Sequence, residues 1–184
     1  MAFQFVRPSQ TAERLMCKTP WMQRLMLAYY RPIVEKEVGL SRASRLDAIL
    51  CVGGGYFPCT AILFHLLTGA SVAVVDNDKN AVFCARRLVR QMGLHHHVLV
   101  RHSDGAEVCA KAYDIIHIAM QISPKEKVFH QLHDSAHKQT KILVRIPKAH
   151  LERGYQPFKT ACQQRDSIRQ PAFSNIHATG LYVR

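Results

Sequence analysis

"ILCVGGGYFPCTAI", residues 49–62, sets three consecutive glycines directly after a short apolar run. The run reads as a buried strand. The glycines supply a tight turn and let a ligand approach the backbone closely. Pro58 fits the first turn of a following helix, where its missing N–H costs nothing. A dinucleotide-binding loop would have its last glycine where this proline stands, and Tyr56, Phe57 and Pro58 bring bulk to the place where a pyrophosphate needs open backbone.

Outward from this loop, short apolar runs alternate with helical stretches. Strands are expected at 48–52, 71–76, 97–101, 113–120 and 141–146, with a last strand in the tail 178–184. Helical patterns fill 58–67, 79–92 and 125–137. Near-continuous apolar strands separated by helices predict a mostly parallel sheet covered on both faces. Right-handed crossovers make it a doubly wound, Rossmann-like α/β domain of about six or seven mostly parallel strands. Residues 1–45 form a helical N-terminal segment and 46–184 the binding domain. In that segment Ser9 caps a short helix and Pro20 opens a longer one. Pro32 is expected to kink or divide the longer helix, and Gly39 and Ser41 to end it.

The second expected strand ends in "VVDND", about twenty residues past the loop, where a carboxylate takes both hydroxyls of a ribose. Asp78 suits the cap of the next helix, which leaves Asp76 for the ligand. Asp104, in "RHSDGAE", either accepts from an adenine amino group or caps the turn that follows. Met120, in "AMQIS", either offers surface to the adenine or belongs to the core. The expected cofactor contacts are Gly53, Gly54, Gly55, Pro58, Thr60, Asp76, Asn77, Asp104, Gly105, Ala119 and Met120. A nucleoside with an amino-acid tail and no phosphate fits the bulky loop better than a dinucleotide does, which favours S-adenosylmethionine as co-substrate.

Composition sets the outer bounds. At 184 residues and 48% hydrophobic content the chain is expected to build one domain with one core. No apolar run reaches the roughly 20 residues that span a bilayer, and the N-terminus lacks a secretory signal, so a soluble cytoplasmic protein is expected. Six cysteines are scattered without a C-x-x-C pair, which reads as reduced thiols. The net charge of +12 suits anionic partners, nucleic acid among them. A solvated basic surface is favoured, because the basic residues form no long block. Among eleven histidines, His130, His133 and His137 share a helical face, but no cysteine or carboxylate completes a metal set. Solvent-facing histidines are the better expectation, and no metal is assigned.

The ordered motifs resemble the nicotianamine synthase family, and the resemblance implies the class I S-adenosylmethionine (SAM)-dependent methyltransferase-like form of this fold. "GGGYFPCTAI" is similar to the glycine loop of its archaeal and bacterial members, with Pro58 and Thr60 keeping the pattern and Tyr56 replacing its first proline. The similarity continues through "VVDND", "YDIIHIAMQISPKEKVFHQLH" and "ILVRIPKAHLERGYQPF" with its Arg145 and Tyr155-x-Pro157. Upstream, "YYRPIVEKEVGLSR" resembles the helix that precedes the family's first strand. The resemblance implies transfer of the 3-amino-3-carboxypropyl (aminobutanoyl) group of S-adenosylmethionine onto an amine, with release of methylthioadenosine and metallophores as products. It implies that Glu37 serves the reacting amine as general base. The chemistry needs such a group, and burial raises a carboxyl's pKa toward that task. Without the resemblance, Glu37 reads as a solvated helix face, and Glu35 is its rival. Tyr30 and Tyr155 shape the acceptor pocket by the same resemblance, or are buried hydrogen-bonded tyrosines.

Nicotianamine synthases carry a larger helical N-terminal domain over the cofactor, while here about forty-five residues precede the first strand. The acceptor chamber is therefore expected to be open, completed by a second subunit of a homodimer, or adapted to another acceptor. Two further readings stay open. A SAM-dependent methyltransferase acting on a small molecule shares the sheet, the loop and Asp76. A non-catalytic protein binding SAM or nucleic acid rests on the charge alone.

Overall fold

The computed structural model describes residues 19–155 and 158–184. The Ser9 cap, Cys17 and Pro157 lie outside the described residues.

Among the described residues, four α-helices and seven strands follow the expected alternation. They are α1 (Pro20–Ser41), β1 (Ala48–Val52), α2 (Cys59–Thr68), β2 (Ser71–Asp76), α3 (Lys79–Gln91), β3 (Val98–His102), β4 (Ile115–Ile118), α4 (Lys125–Ser135), β5 (Lys141–Pro147), β6 (Gln164–Arg169) and β7 (Ile176–Val183). The strands form one sheet in the order β3-β2-β1-β4-β5-β7-β6. Strands β1 to β5 are parallel, and β7 runs antiparallel between β5 and β6. This is the Rossmann-like fold of SAM-dependent methyltransferases, as the alternation of runs predicts.

The sheet is apolar on both faces because successive side chains of a strand point to opposite sides. Along β1, Ile49 and Cys51 join Val34, Phe57 and Phe64 under α1 and α2. Leu50 and Val52 join Ile116, Ile118 and Phe129 beneath α4. A single continuous run therefore serves two cores. Strand order reverses between β1 and β4, and in such sheets ligands bind at that switch point, outside the carboxyl ends of the strands.

Several expectations change in detail. Pro32 does not divide α1, which runs through it. The missing N–H removes one helical bond, while Ile33, Val34 and Glu37 just beyond it are anchored in the core. Of the two residues expected to end the helix, Ser41 is its last, while Gly39 lies within the last turn. Arg42, at φ 53°, adopts the left-handed cap and donates to the Gly39 carbonyl at 3.3 Å. β4 is shorter than its apolar run, and the last strand starts earlier, at Ile176. The edge strand β6 was absent from the sequence reading: "QRDSIR" is almost wholly exposed, so it carries no apolar alternation to betray it.

Candidate active site

The glycine loop leaves β1 where the sheet opens. Gly53 and Gly55 have φ of 87° and 61°, values that glycine adopts freely. Gly53 N–H donates to the Val75 carbonyl at 2.9 Å, which ties the loop to β2. Asp76, at the end of β2, completes the tie: its Oδ2 accepts from Gly55 N–H at 2.7 Å and its Oδ1 from Asp78 N–H at 3.0 Å. Asp76 is thus not wholly free for a ligand. Each oxygen keeps a second lone pair, and the half-buried carboxylate faces the cavity. Asp78 caps α3 through Oδ1, accepting from Asn80 and Ala81 N–H, while its Oδ2 accepts from the Tyr56 hydroxyl at 3.1 Å.

A cavity of about 880 Å³ opens above the switch point. That volume accommodates a nucleoside with an amino-acid tail beside a second small molecule. Of the expected contacts, Gly53, Gly55, Asp76, Asn77, Asp104, Gly105 and Met120 line it, as do Tyr30 and Tyr155. Asp104 also accepts from Ala106 N–H at 2.9 Å, so the capping role weighed for it is filled. Gln121 donates to the Gly53 carbonyl at 3.4 Å from the β4 side.

The lining leaves out Gly54, Pro58, Thr60, Ala119 and Glu37. Gly54 is a packing glycine, since a Cβ there would lie 2.3 Å from Val74 Cγ1. Pro58 is buried at the N-cap of α2, and Thr60 lies in that helix's first turn. Ala119 is buried behind the wall, its N–H on the Val52 carbonyl.

Glu37 departs furthest from expectation. It is neither a solvated helix face nor a carboxyl raised by burial, and it is completely enclosed. Arg145, from β5, donates through Nε to Oε1 at 2.8 Å and through Nη2 to Oε2 at 2.7 Å. Thr179, the cross-strand partner of Arg145 on β7, donates to Oε1 at 2.8 Å. His117 Nε2 stands 3.5 Å from Oε2. Burial pushes the Glu37 carboxyl up, but Arg145 first and His117 next outweigh it and hold the carboxyl well below its ordinary value. Burial first and Arg145 next push His117 down from its ordinary value, against the opposing pull of Glu37. The Cys51 thiol beside this cluster is pushed up to about 12 by burial, which makes it inert.

Arg145 lines the cavity, with its guanidinium 5.9 Å from the centroid of the Tyr30 ring. Lys125, at the start of α4, is buried and donates to the Arg145 carbonyl at 3.2 Å. At the mouth, Tyr29 and Phe173 meet edge to face at 5.3 Å. His117, Thr179 and Lys125 are not among the residues expected in the site. A signal was present: one polar residue interrupts each of the runs "IIHI", "LVRI" and "ATGL", and these are His117, Arg145 and Thr179.

Among the described residues, no group of three His, Cys, Asp or Glu side chains could hold a metal ion. His130 and His133 pack against Phe129. None of the described helices is long and apolar enough to cross a membrane.

The fold is the Rossmann-like one of class I SAM-dependent methyltransferases, and the cavity lies at its switch point. No protein-family model matches the chain. It is 28% identical over 120 residues to L-histidine 2-aminobutanoyltransferase of Yersinia pestis, a match covering 65% of this chain and 44% of that protein. Over 122 residues it is 29% identical to the protein of the same name from Pseudomonas aeruginosa, covering 64% and 46%. The chain thus spans less than half the length of these curated relatives. Among solved structures it is similar to a point variant of MtNAS in complex with S-adenosylmethionine. That likeness has a TM-score of 0.81 and 20% identity, and covers 95% of this chain and 71% of the other.

Proposed function

We propose that this chain moves the 3-amino-3-carboxypropyl group of S-adenosylmethionine onto an amine and releases methylthioadenosine. The observation that carries the proposal is the similarity to two L-histidine 2-aminobutanoyltransferases across about two thirds of the chain. MtNAS, with S-adenosylmethionine in its structure, supports the same cofactor.

In this reading Asp76 takes the ribose hydroxyls, and the backbone of Gly53 and Gly55 meets the amino-acid tail. Asn77, Asp104, Gly105 and Met120 enclose the adenine end. The acceptor, a small amine such as histidine, enters past Tyr29 and lies against Tyr30 and Tyr155. Its nitrogen lone pair forms a bond to the Cγ of the amino-acid chain. The Cγ–S bond breaks, and its electron pair neutralises the sulfonium to give the thioether of methylthioadenosine. The new secondary ammonium gives up its extra proton to solvent water. Glu37 is enclosed and held as an anion, so we assign it no part in that proton transfer. Placement of the nucleophile against Cγ, rather than against the methyl carbon, decides the product. Such a reaction suits the cytoplasm, and the described cysteines are all free.

Incubating the protein with S-adenosylmethionine and a panel of amines, L-histidine included, is expected to yield methylthioadenosine by mass spectrometry. S-adenosylhomocysteine as the only nucleoside product would overturn this reading in favour of methyl transfer.

A further inference from the structure

The cavity is electrostatically polarised. Asp76, Asp78 and Asp104 stand at the β2 and β3 end, where a sulfonium and a ribose find carboxylates. At the β5 end the order of charge reverses, with Arg145 in the lining and the buried Lys125 behind it. Asp76 and Arg145 are three strands apart in the sheet. At about 4.8 Å per strand that is about 14 Å, so a group on Arg145 lies beyond the adenosyl half of the site.

Arg145 is only 5% exposed, and what it exposes faces this cavity. A guanidinium has five N–H donors in a rigid fork. Glu37 occupies the Nε donor and one Nη2 donor. Three donors remain, on Nη1 and the outer side of Nη2. The Tyr30 ring lies near the guanidinium, and Thr179 fixes Glu37 from β7. The planar fork is thereby held in one orientation without any ligand. Such a pre-set cation matches a carboxylate, a bidentate acceptor of the same geometry.

We propose that Arg145 clamps the α-carboxylate of an amino-acid acceptor, and that Glu37 and Thr179 are positioning residues that aim its free donors. The clamp rests on the transfer reading above and narrows the acceptor from any amine to an amino acid. Glu37 then acts through Arg145 and not on the reacting nitrogen. A carboxylate anchored at the β5 end leaves the acceptor's amino group pointing back toward the glycine loop, where the sulfonium lies.

The full chain, loaded with methylthioadenosine, is titrated calorimetrically with each of the twenty common L-amino acids. The tightest binder is then compared with its decarboxylated amine, for example L-histidine with histamine. We expect the amine to bind about 10- to 100-fold more weakly, the loss of a charge-assisted bidentate contact. The charge-neutral double variant Glu37→Gln with Arg145→Gln is expected to bind amino acid and amine alike. Thr179→Val is expected to weaken the amino acid several-fold and leave the amine unchanged, which a merely structural loss would not do. Affinity for S-adenosylmethionine should be the same in all three proteins. Equal binding of the amino acid and its amine by the unaltered protein overturns the clamp, as does a lack of binding by every amino acid. A double variant that loses S-adenosylmethionine while still discriminating acceptors also overturns it, because the carboxylate held would be the cofactor's own. Discrimination combined with S-adenosylhomocysteine as product keeps the clamp and removes only the transfer reading.

Discussion

Glu37 on α1 and Arg145 on β5, 108 residues apart in the sequence, meet through two hydrogen bonds of 2.8 and 2.7 Å inside the fold. Removing one member of a buried pair strands the other charge away from water. Glu37→Gln is expected to destabilise the protein by about 3–5 kcal/mol in urea unfolding. Adding Arg145→Gln should recover part of that loss, because the two changes share one interaction. The same pair sets an acid limit. The folded carboxyl is held below its ordinary value of 4.5, so its contribution is complete above that pH and declines as pH falls through the folded value. Stability measured by urea unfolding should therefore fall steeply with acidification below about pH 4.5, and Glu37→Gln should flatten that limb.

Lys125 carries the opposite sign. Burial pushes its ammonium down from 10.5 to about 8, so folding disfavours the charged form. The penalty is present below pH 8 and is relieved as pH rises from about 8 toward the unfolded value. Lys125→Met should stabilise the protein at pH 7 by an amount on the order of 1–3 kcal/mol. The gain should shrink progressively above pH 8, as paired urea titrations at pH 7 and about pH 10 would measure. Equal gains at both would place the effect in packing instead.

Asp76 has two tasks, holding Gly55 N–H and facing the cavity. Asp76→Ala is expected to weaken S-adenosylmethionine binding by at least about tenfold in calorimetry, the loss of a charged hydrogen-bonding partner. Asp76→Asn keeps one acceptor oxygen and should fall between the two.

Gly54 tests the loop without touching the cavity wall. An added methyl would lie 2.3 Å from Val74 Cγ1, inside the core of β2. Gly54→Ala should cost about 1–3 kcal/mol of stability by overpacking, read as a lowered Tm.

The strands β1 and β2 were legible in the sequence to the residue, because both faces of the sheet are covered and the runs are continuously apolar. β6 was not, because it is an edge strand whose residues are mostly exposed and polar, with Ile168 the one apolar side chain among them. The site divides along the same line. Local chemistry, such as glycines in a turn, Asp78 on a helix end and Asp76 after a strand, is written in neighbouring residues. The setting of Glu37 is written in three distant strands, and no spacing along α1 distinguishes a solvated glutamate from one enclosed by Arg145 and Thr179. The polar interruptions at His117, Arg145 and Thr179 pointed to something buried, but only the strand order brings them onto one face.

Because β7 lies between β5 and β6, the order of synthesis and the order within the sheet disagree. A nascent chain can pair its five parallel strands while the outer border of β5 is still bare, its amides and carbonyls unpaired. Until residues 176–183 leave the ribosome, that border is a template for aggregation, and Glu37 waits without its threonine.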